Sequence, residues 1–327
     1  MSSDDAGPPD LLGFPADVAT RLEESGLEVV VTGGSGWMGR ATLEMLESSL
    51  GSGFSERVHV FGSTTRPMTL RSGTRVPVVA ISALPDLRVG RHLVAHFAFA
   101  TKEFVDELGT DEYVRRNQRL TQLVSDHVAR SEAVGLFVPS SGADSAGGDL
   151  GAYPYAELKR RDERRFLDLA GDRSTSLDGR LVMPRVFNLA GPFLNKPDRY
   201  ALGSILTDIG RGGPVRLTAT RPVVRSYVHV GDLVALAFAL LTGAGPLPGG
   251  TFDTAGERDV EVGELALVAT SVLGHPDMPI ERPPLARQDH DRYVGDPAEM
   301  HRLMLVNGLS AATLPDQIRD TARYLGV

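Results

Sequence analysis

Tyr155 and Lys159 stand four residues apart in the run Tyr153-Pro154-Tyr155-Ala156-Glu157-Leu158-Lys159, which opens a charged stretch continuing to Phe166. On a helix that spacing places a phenol and an ammonium on one face. The ammonium favours the phenolate and lowers a phenol's pKa from its ordinary value of about 10. A phenol tuned in this way can take a proton from an alcohol as hydride leaves, or give one to an oxygen as hydride arrives. Ser141 lies fourteen residues before Tyr155, in Pro139-Ser140-Ser141-Gly142. Its hydroxyl can donate a hydrogen bond to the same oxygen and steady the charge that develops there.

Such chemistry needs a hydride carrier, and Leu27 to Arg40 offers a place for one. Glu28 to Thr32 is a β-branched run that reads as a strand buried on both faces. Gly33-Gly34-Ser35-Gly36-Trp37-Met38-Gly39 breaks it, and helical spacing resumes from Arg40 to Leu46. Strand, glycine turn and helix together build an anion site, because the first helical N–H groups lack intrahelical partners and sit at the positive end of the dipole. A dinucleotide pyrophosphate is the expected guest, held by the turn that carries Ser35, Trp37 and Met38. Gly33 allows the tight turn, Gly36 lets the phosphates approach the backbone, and Gly39 lets the helix pack on the strand.

The remaining elements follow in a strand and helix alternation. Arg57 to Gly62 reads as the second strand, whose end lies near the adenosine ribose in a doubly wound fold. An acid there would bind the 2′-hydroxyl of NAD, but the chain offers Gly62-Ser63-Thr64-Thr65-Arg66. Ser63 and Arg66 suit a 2′-phosphate, since Arg binds phosphate through charge-assisted hydrogen bonds, so NADP is expected and NAD is the alternative. Val76 to Ala80 and His92 to Ala98 read as the next strands, and small residues such as Ala98 let the chain pass beside the cofactor. Glu112 to Ala129 is helical, with Asn117 available to steady a water or a backbone turn. Val134 to Val138 delivers Ser141 at its C-terminal end, where ligands collect in open α/β sheets. Asn188 follows the strand Gly179 to Phe187 at another such exit, and Arg225 precedes an alternating strand-like run, where a guanidinium aimed into the cleft suits a diphosphate. Val215 to Thr218 reads as a small strand, and Val260 to Leu265 as the start of a helix.

At 327 residues the chain can bury a large core and suits one discontinuous two-lobed unit. Its net charge of −8, with both signs interspersed, gives no basic face for nucleic acid. The absence of cysteine excludes disulfides, thiolate nucleophiles and cysteine–zinc sites, and the eight histidines show no metal-ligand spacing, so no metal is assigned. Leu233 to Leu241, the longest apolar stretch, falls well short of the roughly 18 residues that span a bilayer. The start of the chain has no basic or apolar signal segment. A soluble cytoplasmic protein with no membrane partner is expected, beginning with a flexible polar tail over residues 1–9.

Five motifs in order carry a resemblance. They are Thr32-Gly33-x-x-Gly36-x-x-Gly39, Ser140-Ser141, Pro154-Tyr155-x-x-x-Lys159-x-x-x-Glu163, Arg185 to Pro192, and Arg225-Ser226-Tyr227-Val228-His229-Val230-Gly231-Asp232-Leu233. In this order they resemble the extended short-chain dehydrogenase/reductase superfamily, and within it the NAD(P)-dependent nucleotide-sugar epimerase/dehydratase/reductase family. Asp291 to Pro297 and a terminal amphipathic helix are similar to that family's C-terminal signature. The resemblance implies an α/β, Rossmann-type doubly wound parallel sheet over residues 20–190 and 227–254. It also implies a smaller, discontinuous substrate-binding lobe over 191–226 and 255–327, with 1–19 as an N-terminal extension. Ser141 is then the oxygen-binding hydroxyl, Tyr155 the acid/base, and Lys159 the ligand of the cofactor ribose, with Asn188 and Arg225 at the diphosphate of a nucleotide-sugar substrate.

The chain also departs from the family. Gly142-Ala143 stands where the 4,6-dehydratases carry Asp-Glu, which disfavours that elimination, and Gly142 to Gly148 is shorter and richer in glycine than the usual pocket wall. The expected activity is NADP-dependent reduction of a keto group on a nucleotide-activated deoxysugar. NAD-dependent epimerisation of a nucleotide-sugar is second, and reduction of a small non-sugar ketone third. From another class, a non-catalytic cofactor sensor is an alternative that the intact Ser141, Tyr155 and Lys159 oppose. By resemblance a homodimer is expected, joined through the helices that contain Asn117 and Tyr155.

Overall fold

The computed structural model describes residues 11–142, 154–286 and 289–327. The expected polar tail and the stretch from Ala143 to Gly148 lie outside the described residues. Helix α1 (Ala16–Glu24) leads into strand β1 (Glu28–Thr32), in which Val29, Val30 and Val31 are fully buried. Burial on both faces is what an unbroken β-branched run provides for. After the glycine turn come α2 (Trp37–Leu50), α3 (Phe54–Arg57) and β2 (Val58–Gly62), with β2 parallel to β1. The helix begins at Trp37, three residues earlier than its apolar spacing suggests.

Strand β3 (Arg66–Thr69) then runs antiparallel to β4 (Arg75–Ala80), which is parallel to β2. Arg66, for which the sequence reading gives no strand, is the first residue of an edge strand, where Pro67 is tolerated. From there the chain crosses to the other side of β1. It forms β5 (His92–His96), α4 (Phe104–Leu108), α5 (Thr110–Arg130), β6 (Ala133–Phe137), β7 (Ser140–Ser141), α6 (Tyr155–Gly171) and β8 (Leu181–Val186). Because β5 also pairs parallel with β1, the winding direction reverses between them. A crevice opens outside the strand ends at such a switch point, and ligands bind there in open α/β sheets.

The rest of the chain closes that crevice. It comprises β9 (Asn188–Ala190), α7 (Ala201–Gly210), β10 (Val215–Arg216), β11 (Val223–His229), α8 (Val230–Thr242), β12 (Thr251–Asp253), β13 (Asp259–Glu261), α9 (Val262–Val272), β14 (Ile280–Glu281), β15 (Asp291–Tyr293), α10 (Pro297–Val306) and α11 (Leu314–Leu325). β12 returns to the large sheet, whose order among the described residues is β12-β8-β6-β5-β1-β2-β4-β3 with β7 beside β8. β11 organises a second sheet with β9, β13 and β15, over a separate core that includes Leu206, Leu265 and Ile318. Helix α8 is apolar almost all round and is buried against α1 and α2, with Phe14 and Phe238 ring centroids 5.0 Å apart. Val260 lies in strand β13 rather than in the predicted helix. Glu261 ends that strand and caps α9, accepting from the Gly263 amide at 2.7 Å while Arg282 holds its other oxygen.

Candidate active site

The glycine turn is shaped by what a side chain would meet. Gly33 has φ +75°, and a Cβ there would lie 2.6 Å from the Ala98 amide nitrogen, so the turn rests directly on the exit of β5. At Gly39 a Cβ would overlap the Gly33 carbonyl oxygen, so α2 starts pressed against the turn. Gly36 is the N-cap of α2 and brings no side chain to cap it. The amides of Trp37, Met38 and Gly39 are therefore the first-turn donors that lack intrahelical partners, at the positive end of the dipole. Ser35 is exposed beside them. The Trp37 indole donates to the Pro192 carbonyl at 2.7 Å and stands edge-on to Tyr200 at 5.7 Å.

Tyr155 and Lys159 face the same cavity as this turn. A space of about 470 Å³ is lined by Gly36, Trp37, Met38, Ala98, Tyr155 and Lys159 among others. Ser141 is fixed in β7 opposite Val186, and its side chain acts to lower the Tyr155 pKa. Burial raises the Tyr155 pKa and outweighs that lowering, with the Glu103 carboxylate adding to the rise. This corrects the expectation that Lys159 lowers it. The Lys159 ammonium lies 3.9 Å over the Phe99 ring and 3.4 Å from the Pro139 carbonyl oxygen. Burial also lowers the Lys159 pKa, against the opposing pull of Asp162 and Glu163.

Polar groups behind the site hold its pieces in register. Glu163 accepts from Ser140 Oγ at 2.7 Å and takes a bidentate pair from Arg185 at 2.9 and 2.7 Å, tying α6 to β7 and β8. Burial would raise the Glu163 pKa, but Arg185 and Ser140 hold it below the ordinary value. Asp162 accepts from Thr121 Oγ1 at 2.7 Å and joins α6 to α5. Asn117 is buried and clamps the Ala100 amide and carbonyl at 2.8 and 3.2 Å, so it steadies the backbone after β5. His96 lines the cavity, pairs with Thr32 Oγ1 at 2.7 Å, and is pushed down to about 3 by burial and by Lys159. Sequence reasoning missed His96, as it did the Lys196–Glu103 ion pair at 3.2 Å, whose Lys196 lines the cavity.

The other predicted residues lie apart from this cavity. Ser63 and Arg66 are exposed just beyond the end of β2. Asn188 donates to the Ser226 and Tyr293 carbonyls at 3.3 and 3.2 Å, linking β9, β11 and β15. Arg225 pairs with Asp291 through the backbone carbonyl at 2.9 Å and the carboxylate at 3.1 Å. Among the described residues no cluster of metal-ligating side chains occurs, and no helix is long and apolar enough to cross a membrane.

Against known proteins, the model of the NAD dependent epimerase/dehydratase family matches residues 29–252. No curated protein sequence matches the chain. Among solved structures it is similar to a UDP-glucose 4-epimerase from Thermotoga maritima (TM-score 0.68, 16% identity, covering 92% of this chain and 99% of that one). It is similar to a UDP-N-acetylglucosamine 4-epimerase from Methanobrevibacter ruminantium (TM-score 0.68, 16% identity, covering 91% and 98%). A dTDP-glucose 4,6-dehydratase from Streptomyces venezuelae, solved with NAD, gives a TM-score of 0.67 at 18% identity, covering 92% and 97%.

Proposed function

The chain belongs to the NAD-dependent epimerase/dehydratase family, and from that premise we propose that it is an NADP-dependent reductase of a keto group on a nucleotide-activated deoxysugar. The observation that carries this reading is the shared cavity: the uncapped start of α2, Tyr155 and Lys159 all line one space. The residues fit a dinucleotide, since the N-cap Gly36 has no side chain and leaves the amides of Trp37, Met38 and Gly39 as donors for a pyrophosphate. Ser63 and Arg66 would hold the 2′-phosphate, Ala98 would lie beside the cofactor, and Lys159 would hold the nicotinamide ribose. When bound, the dinucleotide supplies the hydride. Tyr155 gives its phenolic proton to the carbonyl oxygen as that oxygen gains charge, and Ser141 donates a second hydrogen bond to it. The raised pKa of Tyr155 keeps the proton in place for this direction of reaction. Asn188 and Arg225 would meet the diphosphate, with Arg225 exchanging Asp291 for it.

A second reading, NAD-dependent epimerisation of a nucleotide-sugar, is favoured by the family description. Titrating NADPH and NADH, then screening nucleotide-linked keto-sugars for consumption of the preferred one, separates the two. Tighter NADPH binding with stoichiometric consumption supports the reductase. Tight NADH with no net consumption during turnover would replace it with the epimerase. Cofactor binding with no turnover on any such sugar would leave the sensor.

A further inference from the structure

Taking Lys159 as the residue that meets the cofactor, as proposed above, we infer that Phe99 is a positioning residue of the same site: the face of its ring carries the Lys159 ammonium and keeps it a cation at the cavity. The ammonium nitrogen lies 3.9 Å from the centroid of the Phe99 ring. That is well inside the distance of about 6 Å over which a cation is drawn to the negative face of an aromatic ring. The same ring stands nearly perpendicular to Tyr155, with centroids 5.7 Å apart and an interplanar angle of 88°. Phe99, Tyr155 and Lys159 all line the cavity. One aromatic ring therefore meets both members of the proposed acid/base pair.

The backbone on either side of Phe99 is held. Ala98 lies against the glycine turn, where a Cβ at Gly33 would stand 2.6 Å from its amide nitrogen. Ala100 is clamped by Asn117, which accepts from its amide at 2.8 Å and donates to its carbonyl at 3.2 Å. The Phe99 side chain itself packs on a small apolar cluster that includes the buried Tyr113 and Leu158. Strand exit, turn and helix α5 thus fix where the ring stands, and Lys159 comes to it from α6.

Lys159 has few other partners. Among the described residues its ammonium forms no ion pair, and its bond to the Pro139 carbonyl oxygen, at 3.4 Å, is long. Two carboxylates of its own helix face it, but Asp162 accepts from Thr121, and Glu163 is taken up by Ser140 and Arg185. Tyr155 stands one turn earlier on α6, and from β5 comes His96, which stays neutral because burial and Lys159 hold its pKa at about 3. Burial also works against the charged form of Lys159. Attraction between a cation and a ring is strongest where the cation is stripped of water, so the Phe99 face acts where the ammonium most needs it. An aliphatic side chain of similar bulk would keep the packing and lose the attraction.

The chain has only three lysines, Lys102, Lys159 and Lys196, so NMR titration of the full chain carrying carbon-labelled lysine follows three signals, assigned through Lys102→Arg and Lys196→Arg. In Phe99→Leu the acid constant of Lys159 should rise about threefold to thirtyfold, the scale of a contact between a cation and a ring. Phe99→Tyr, which keeps the ring, should retain the parent value. An unchanged Lys159 midpoint in folded Phe99→Leu overturns the inference, and so does an equal shift in both variants, which would make the side chain packing alone. If Phe99→Leu does not fold, phenylalanines bearing one, two and three ring fluorines at position 99 decide, because fluorine weakens the negative face with little change in size. The acid constant should then climb along the series, and a flat series overturns the inference. The titration uses neither cofactor nor substrate, so its result stands apart from the NADPH and NADH experiment that decides the reductase reading.

Discussion

At the glycine turn, the amides of Trp37 and Met38 have no partner inside their helix, and Ser63 and Arg66 stand exposed beyond β2. Across the crevice, Asn188 and Arg225 are engaged: one bridges the Ser226 and Tyr293 carbonyls, the other grips Asp291. The first region leaves its polar groups out of the framework, whereas the second uses them to join β9, β11 and β15. The difference has a topological origin. The turn lies at the switch point of a continuous sheet that backbone pairing already holds, so its polar groups are not needed to join strands. The second sheet is assembled from strands of three to seven residues drawn from distant parts of the chain, and side-chain hydrogen bonds make up for short ladders.

The sharpest test of the open region is Tyr155→Phe. If Tyr155 is the acid, removing the phenolic proton should lower kcat by roughly 10²- to 10⁴-fold, while cofactor affinity stays as it was. A rate close to that of the parent protein would show that the cavity is a cofactor site without acid/base work. Parallel loss of NADPH affinity would instead make Tyr155 part of the binding wall.

The next effect comes from the support beneath the site. Glu163→Ala leaves Arg185 and Ser140 without their acceptor. The cost should be a few kcal/mol, below the roughly 3–5 kcal/mol of a fully buried pair, because the Arg185 side chain is 37% exposed. Glu163 has a folded pKa below its ordinary value of 4.5, so its contribution is present above that pH and is lost as pH falls through the folded value. Chemical denaturation at neutral and acid pH should therefore show a variant deficit that shrinks below about pH 4.5. A deficit that does not vary with pH would mean that packing, rather than the ion pair, ties α6 to β8.

These residues also mark how far the sequence can be read. Gly33 and Gly39 were legible because a strand, a turn and a helix leave room there for no side chain, a local requirement that spacing records. Ser141, Tyr155 and Lys159 were legible because helical periodicity and strand ends set their direction. What stayed hidden arises from register between distant segments. Nothing near Tyr293 announces that β15 will lie along β11 and bring its phenol to the Val186 carbonyl, and nothing near Lys159 announces that Phe99 will take its ammonium. The expected lowering of the Tyr155 pKa failed for the same reason, since burial is a property of the whole fold. Arg66 opens an edge strand that the sequence reading does not give, because four residues carry too short a pattern to distinguish from a turn.

Arg225→Ala tests the engaged region. Losing the hydrogen bonds to Asp291 should cost about 1–3 kcal/mol of stability, read by thermal or chemical unfolding without cofactor or substrate. An undiminished stability would mean that the Asp291 contacts are incidental and that the guanidinium is as available to a ligand as Arg66. A stability loss that a nucleoside diphosphate such as UDP does not influence, in parent or variant, would place Arg225 wholly in the framework.

The smallest expected effect is the most specific to the open region. Arg66→Glu exchanges a cation for an anion on an exposed edge strand, so the folded chain should be nearly as stable as before. NADPH and NADH differ only in the 2′-phosphate, and a charge-assisted contact to it at a solvated position should contribute about tenfold in affinity, less than a buried pair would. NADPH should therefore weaken by about that factor while NADH is unchanged or slightly strengthened, and raised salt should shrink the difference because the charge is exposed. Equal weakening of both cofactors would place Arg66 near the shared adenosine or pyrophosphate and leave Ser63 as the remaining 2′-phosphate candidate in the stretch after β2. No change in either would remove Arg66 from the site, and with it the physical ground for preferring NADP over NAD.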